Sequence, residues 1–406
     1  MQTPPRAALL FILATILIDA IGIGIIFPLM PDLMARVGAG DTASGAIWGG
    51  ILLAAYAAMQ FVFAPIVGGL SDAFGRKPVL IAALATLALD YVVMALATTF
   101  WVLLLGRLLA GAAGATYITA TAYLADISPP EKRAANFGLI GAAFGVGFVM
   151  GPALGGILAT WHVTAPFWVA AAFAAANVAL GLLVLPESLP PARRRRFTRR
   201  DFNPFRAILD AFRLPGLAVP LALLFVFELA NMVYPALWSF WARETFGWTA
   251  AAIGLSFAAY GAGVAFTQGA VLPFLVPRIG DYRTLLFAGM AAVVALFGLG
   301  FTTAAWVVFA LVPIACLSDM FPPTITAMMS NAVAEDRQGL LQGVIAALGS
   351  IAAILGPLVA TPLFRVFAAD NAPLYLPGMP FLAAGVLLLA AAPALLALNP
   401  RRKRIR

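Results

Sequence analysis

Apolar runs of about 20 residues, the length a helix needs to cross roughly 30 Å of hydrocarbon, follow one another almost end to end along this chain. Short polar loops separate them. No other feature constrains the fold so tightly, because hydrocarbon offers no hydrogen bonds and a chain inside it must satisfy its own backbone polar groups. The runs fall near residues 7–31, 46–70, 79–97, 101–124, 135–159, 164–185, 216–241, 249–276, 283–303, 304–329, 338–368 and 376–398. The expected fold is an all-α membrane protein with twelve transmembrane helices. With 63% of its 406 residues hydrophobic and 10% charged, the chain has too little charged surface for an ordinary soluble protein.

The net charge of +8 invites a nucleic-acid reading, but the basic residues sit where membrane topology would put them. Counting loops alternately from an inside N-terminus, the inner side collects Arg6, Arg76, Lys77, Lys132, Arg133, Arg193 to Arg196, Arg199, Arg200, Arg206, Arg213, Arg278, Arg283, Arg337, Arg401, Arg402, Lys403, Arg404 and Arg406. The outer loops carry only Arg36, Arg243 and Arg365. This positive-inside bias places both termini in the cytoplasm and leaves no charge for nucleic acid to explain. A cleavable signal peptide does not fit the N-terminus, since the first apolar run is too long, contains Asp19 and precedes many equivalent runs. Cys316 is the one cysteine and His162 the one histidine, so neither an intrachain disulfide nor a metal site of the usual ligand count is expected.

The longest polar segment, residues 186–215, is rich in Pro and Arg and follows the sixth run. It divides the chain into an N-terminal six-helix bundle (1–185), a basic linker (186–215) and a C-terminal six-helix bundle with a basic tail (216–406). Topology and attraction to anionic lipid account for the linker arginines. The two halves are related. Gly68-Gly69-Leu70-Ser71-Asp72-Ala73-Phe74-Gly75-Arg76-Lys77 after the second run is echoed by Pro273-Phe274-Leu275-Val276-Pro277-Arg278-Ile279-Gly280-Asp281 after the eighth, with Leu and Gly at the same spacing. Gly151-Pro152 in the fifth run is echoed by Gly356-Pro357 in the eleventh. Many transporters are built from such repeats, with the substrate site near the midplane.

Three motifs carry a resemblance. The pattern G-x-L-x-D-x-x-G-R-[KR], met by Gly68, Leu70, Asp72, Gly75, Arg76 and Lys77, resembles the loop signature of the major facilitator superfamily, with two glycines allowing a tight turn. Gly147-x-x-x-Gly151-Pro152-x-x-Gly155-Gly156 is similar to the fifth-helix motif of that superfamily's proton-coupled drug exporters, where small residues let helix backbones approach. Arg107 to Gly114, Asp19 to Gly24 with Pro28 and Pro31, and Leu89-Asp90-Tyr91 narrow the resemblance to tetracycline/proton antiporters and their close drug-exporting relatives. It implies two pseudo-symmetric six-helix bundles. It also implies a gating latch in which Arg76 pairs with Asp126 and Asp72 faces the N-terminal end of the eleventh helix near Gly339, with Gly151 and Pro152 at the helix contact.

An ionised side chain at the bilayer centre costs at least about 2.5–3.5 kcal/mol, so Asp19, Asp90, Arg107, Glu228 and Asp319 are the candidate proton-coupling residues. Asp90 and Arg107 lie about the same number of residues from the outer ends of their helices and are placed to pair. Asp19, near the middle of its helix, is the expected proton-responsive group, with Asp90 and Arg107 a switchable pair. The competing reading is a permanent ion pair that fixes helix packing. In the second half the sequence departs from the tetracycline exporters, whose ninth helix is expected to carry an acid: Leu285 through Phe301 has none, and Ala292 stands near the place. Glu228 and Asp319 are candidates to take over that role, and Asp319, just before Pro322-Pro323, is equally placed to stabilise a helix break.

Gln60, Tyr117, Asn231, Trp238 and Gln268 are the candidate substrate-binding residues, with Tyr234 and Tyr260 near them. Apolar walls with a few polar anchors suit an amphiphilic ligand. No phosphate-cradling loop is present, so the proton gradient is the expected energy source and no cofactor is expected. A tetracycline substrate would bring its own divalent cation. The expected protein is a monomeric proton-coupled exporter of amphiphilic drug-like solutes, tetracycline among them. The alternatives are a transporter of a metabolite, siderophore or lipid on the same fold, and a non-transporting receptor. With the lone histidine in a loop, no nucleophile–base constellation points to an enzyme.

Overall fold

The computed structural model describes residues 6–114, 116–195, 197, 203, 216–334, 337–369, 372 and 374–399. Arg196, Arg199, Arg200, Arg206 and Arg213 of the linker and the basic residues of the tail lie outside the described residues.

Twelve helices are long and apolar enough to cross a bilayer: α1 Ala7–Arg36, α2 Thr42–Phe74, α3 Arg76–Leu96, α4 Phe100–Ile127, α5 Ala135–Leu158, α6 Ala165–Val184, α7 Ala218–Phe246, α8 Ala250–Ile279, α9 Asp281–Phe301, α10 Ala305–Asn331, α11 Gln338–Ala368 and α12 Met379–Ala397. No strand occurs among the described residues. Each helix overlaps its expected run, and several continue past it. The longest, α2, has 33 residues and spans about 50 Å at 1.5 Å per residue, so its polar ends project beyond the hydrocarbon.

That extension changes the motif after α2. Gly68, Ser71 and Asp72 are helical, and the loop shrinks to Gly75, whose φ of 112° only glycine adopts without strain. Gly68 contributes nothing to the turn: its backbone is helical, and no heavy atom lies within 4 Å of where its Cβ would stand. The expectation of a two-glycine turn is corrected accordingly. The repeat copy behaves alike, with α8 running to Ile279 and Gly280 (φ 81°, ψ 160°) turning the chain into α9 much as Gly75 (φ 112°, ψ 158°) turns it into α3. At the start of α2, Asp41 accepts the Ser44 N–H at 2.5 Å. This cap holds its carboxyl below the usual range.

Four helices are interrupted. The first helical segment of α4 ends at Ala113, capped by Gly114. Asn231 and Val233 flank the break of α7 at Met232. Thr267–Val271 of α8 is a π-helical turn. A break at Asp319 and Met320 divides α10 immediately before Phe321-Pro322-Pro323 starts the next segment, which lacks the proline N–H groups the ladder would need.

Two compact units result. Unit 1 takes Met1–Ala39, Ala55–Pro204 and Thr249–Ala258, and unit 2 takes Gly40–Ala54, Phe205–Trp248 and Ala259–Arg406. The core of unit 1 gathers Phe11, Ile12 and Ile16 of α1 with Leu80, Leu84 and Tyr123. A buried Asn177–Thr15 hydrogen bond of 3.1 Å ties α6 to α1. The glycines of α5 mesh with α1 at a spacing of four residues. A methyl built on Gly147, Gly151 or Gly155 would stand 2.5, 2.5 or 2.6 Å from the carbonyl oxygens of Leu17, Ile21 and Ile25 respectively, so the two backbones touch where any side chain would part them. In unit 2, Phe227 of α7 stacks on Phe321 of α10 at 4.4 Å, inside a core shared with Leu285, Ala292, Leu341 and Val344. Gly356 repeats the role of Gly151, packing against Met232 of α7.

Candidate functional site

In unit 1, four helices bring their polar side chains together. Arg107 of α4 forms an ion pair with Asp90 of α3, and both are buried, at 7% and 2% exposure. The pairing expected from their matched depth is present. Glycine at position 106 is what permits it, because a Cβ there would come within 2.8 Å of the Asp90 carboxylate. The guanidinium also lies over the Tyr56 ring of α2 at 5.2 Å, a cation–π contact that gains strength away from water. Asp19 of α1 is within electrostatic reach of the Tyr56 and Tyr91 hydroxyls, and Tyr91 packs against Gly22 one turn from it. Asp19, Tyr56, Asp90, Tyr91 and Arg107 thus form one cluster, in which Tyr56 interacts with both Arg107 and Asp19.

Gln60, one turn beyond Tyr56, donates through Nε2 to the Gly114 carbonyl at 3.0 Å. It satisfies a backbone acceptor freed by the interruption of α4. Tyr117, 44% exposed, meets Phe144 of α5 edge-on at 5.9 Å.

In unit 2 the acids are arranged differently. The Asp319 carboxylate, at the break of α10, accepts a short hydrogen bond from the Tyr260 hydroxyl of α8. Tyr260 stacks on Tyr234 of α7 at 6.1 Å, and the exposed Gln268, in the π-helical turn, donates to the Asp319 backbone carbonyl at 3.2 Å. The π turn and the α10 break are therefore joined at one residue. Asp319 thus stands at the break through its backbone carbonyl and carries a carboxylate with a proton-bearing partner. Glu228, half-buried one turn before Met232, lies within electrostatic reach of Asp319, and Asn231 closes the first segment of α7. Trp238 is 6% exposed and packs on Trp241 at 5.4 Å, inside an aromatic cluster that Phe381 also joins. Within unit 2 this tryptophan is packed as core.

The latch is denser than its motif implies. Arg76 pairs with Asp126 at 3.0 Å, as expected, and with Asp72 at 2.5 Å. Asp72 accepts a second cation, Arg195 of the linker, at 2.7 Å. Glu187, just past α6, accepts the Arg76 and Lys77 backbone N–H groups at 2.8 and 3.2 Å, placing a negative charge at the N-terminus of α3. Ser188 donates to Asp126 at 3.2 Å. The segment after α6 is thereby stapled across the α2–α3 turn. Glu187, Ser188, Arg195 and Tyr56 were absent from the expected site. Only Tyr56 carried a sequence signal, its one-turn spacing from Gln60.

Along the other face of α5, Gly156 packs against Ala250 of α8, and Gly254 meets the Pro152 carbonyl. Among the described residues no group of three or more His, Cys, Asp or Glu could hold a metal ion. His162 accepts the Thr164 N–H in its own turn.

Twelve apolar helices in two related halves make this a multi-pass membrane protein. The profile of the Major Facilitator Superfamily matches residues 12–357 and 230–405, and the chain belongs to that superfamily. It is 38% identical to the tetracycline resistance protein, class C, of Escherichia coli, over 93% of this chain and 97% of that one. It is 37% identical to the class G tetracycline resistance protein of Vibrio anguillarum, over 89% and 92% of the two chains. The crystal structure of the human organic anion transporter MFSD10 shares the fold with a TM-score of 0.69 at 23% identity, covering 97% of this chain and all of that one (100%). These relatives and neighbours are transporters, and the chain is a transporter rather than an enzyme.

Proposed function

We propose that this chain is a proton-coupled antiporter of the bacterial inner membrane, with both termini cytoplasmic, that exports an amphiphilic drug-like solute. Tetracycline is the first substrate to test, since chains 30–38% identical over most of their length are named tetracycline resistance proteins. The observation that carries the coupling is the Asp90–Arg107 pair set beside Asp19 through Tyr56. A proton arriving from outside neutralises Asp19, the acid with no ion-pair partner in the cluster, and removes its pull on the surrounding dipoles. The Asp90–Arg107 pair rearranges in response, substrate leaves, and loss of the proton to the cytoplasm resets the site. The α1–α5 glycine contact locks two backbones together inside unit 1, which lets that bundle move as a rigid body. The antiporter-type motif on α5 favours export over uptake. If the substrate is a tetracycline, any divalent cation travels with it as cargo.

One observation supports a different substrate on the same fold, a metabolite, siderophore or lipid. The ninth helix has no acid between Leu285 and Phe301, and Ala292 is buried in the core at 1% exposure. A drug-susceptibility panel in an efflux-deficient host separates the two readings. Expression of the chain raises the inhibitory concentration of tetracycline or another amphiphilic drug, and Asp19→Asn abolishes the increase at equal membrane abundance. No shift for any drug in the panel would reject the drug-exporter reading.

A further inference from the structure

Two acids of unit 2 stand at the negative ends of broken helices. The carbonyl end of a helix carries about half a unit of negative charge, so an acid there meets repulsion where a base would meet attraction. Glu228 lies in the last turn of the α7 segment Ala218–Asn231, and Asp319 directly follows the α10 segment Ala305–Ser318. Pro235 and Pro322 add to the effect, because they leave the Asn231 and Ser318 carbonyls without their helical donors. The two carboxylates are also within electrostatic reach of each other. No positive charge of unit 2 offsets them: neither acid has an ion pair among the described residues. Arg243, Arg278 and Arg365 sit in the last turns of their helices, and Arg283 in the first turn of α9. Arg243, on the same helix as Glu228, stands about 22 Å farther along it at 1.5 Å per residue.

The Tyr260 hydroxyl donates to Asp319 but brings no charge. Beside it, the Tyr234 hydroxyl oxygen is buried and makes no hydrogen bond among the described residues, although it is within electrostatic reach of the same carboxylate and its ring stacks on Tyr260. Buried polar groups are as a rule hydrogen-bonded. An unpartnered hydroxyl next to unneutralised acids and aromatic rings complements a group that brings positive charge and an N–H donor. A hard divalent ion fits less well, since it takes about six or more oxygens and no third acid joins the pair among the described residues. The backbone carbonyls of the two acids are already engaged, Glu228 by the Met232 N–H at 3.1 Å and Asp319 by Gln268 Nε2 at 3.2 Å. Both acids are partly exposed, so a ligand reaches them without opening the core. An organic ammonium needs only the charge, an acceptor and aromatic surface.

We infer that Glu228, Asp319 and the Tyr234 hydroxyl bind a protonated amine carried by the exported solute. This rests on the exporter reading and adds to it the chemistry of the solute, with its charge held in unit 2 while proton coupling stays with Asp19 in unit 1. Equilibrium dialysis on the full-length protein in mild detergent tests it with three probes. Tetracycline carries a dimethylammonium group, 4-dedimethylaminotetracycline is the same ring system without it, and tetraphenylphosphonium is a permanent cation of unrelated shape with no N–H. Tetracycline is expected to bind about tenfold more tightly than its derivative, the effect of one hydrogen bond to a charged group. Glu228→Gln is expected to weaken tetracycline and tetraphenylphosphonium by about the same factor and to leave the derivative unchanged. Tyr234→Phe keeps the ring, serves if Glu228→Gln fails to fold, and is expected to weaken tetracycline alone. Equal binding of tetracycline and its derivative, an equal loss of both in Glu228→Gln, or no binding of either cation would each overturn the inference. Sodium ion competing as well as tetraphenylphosphonium at constant ionic strength would overturn it in favour of an alkali ion. In the susceptibility panel, resistance confined to uncharged drugs would reject the amine site and leave export standing, whereas no resistance at all rejects export itself.

Discussion

Asp90 and Arg107 are buried together, so each charge has the other in place of water. Removing one partner of a buried ion pair strands the other charge at a cost of about 3–5 kcal/mol, whereas replacing both by neutral groups is close to neutral. Asp90→Asn alone is therefore expected to destabilise the protein strongly, and Asp90→Asn combined with Arg107→Leu to recover most of the loss, measured by thermal unfolding in detergent. Transport then separates the two roles open to the pair. If it only holds α3 against α4, the double variant regains transport along with stability. A pair that rearranges in the cycle predicts stability regained and transport still absent. At this scale the sequence displayed the charges, because an acid or a guanidinium in an apolar run is conspicuous. It did not display their partners. Glu187 reads locally as part of a Pro-Glu-Ser loop, and its role appears only when the chain brings it to N–H groups 111 and 110 residues away. Trp238 reads as a cavity aromatic until Trp241 and Phe381 are seen around it.

Helix positions were legible because length and hydropathy alone decide what crosses a bilayer, and ends were less so because helices continue as far as their own polar residues allow. The breaks share one signal. The α10 break was visible in Pro322-Pro323, which removes two backbone donors. Pro235 and Pro273 lie four residues beyond Asn231 and Gly269, so those carbonyls at the α7 break and in the π turn likewise lose their helical donors. The glycines of α5 allow a test at the same scale. Gly151→Ala puts a methyl 2.5 Å from the Ile21 carbonyl oxygen, where backbone has to move. A destabilisation of about 1–3 kcal/mol is expected, as for other overpacked contacts. Gly145→Ala on the same helix meets nothing within 4 Å and is expected to be neutral or stabilising by about 0.5–1 kcal/mol, the backbone entropy glycine costs inside a helix. Equal effects of the two substitutions would show that the α1–α5 backbone contact does not hold the bundle.

Across the whole molecule the repeat is structural as well as sequential. Gly75 and Gly280 make matching turns, and Gly151 and Gly356 each close on the first helix of their own half. The polar chemistry has not kept that symmetry. Unit 1 holds a carboxylate–guanidinium pair next to Asp19, and unit 2 holds a carboxylate–phenol pair at a helix break with Glu228 near it. Such asymmetry is what a machine needs when one half moves a proton and the other is free to adapt to a solute. Exchange of proton for drug is read in everted membrane vesicles. Tetracycline added to vesicles acidified inside by respiration is expected to accumulate, with a burst of proton release on its addition. Collapse of the pH gradient and Asp19→Asn are each expected to abolish the accumulation. Accumulation that persists after the gradient is collapsed, or that is unaltered in Asp19→Asn, would show that the chain does not exchange drug for protons through Asp19.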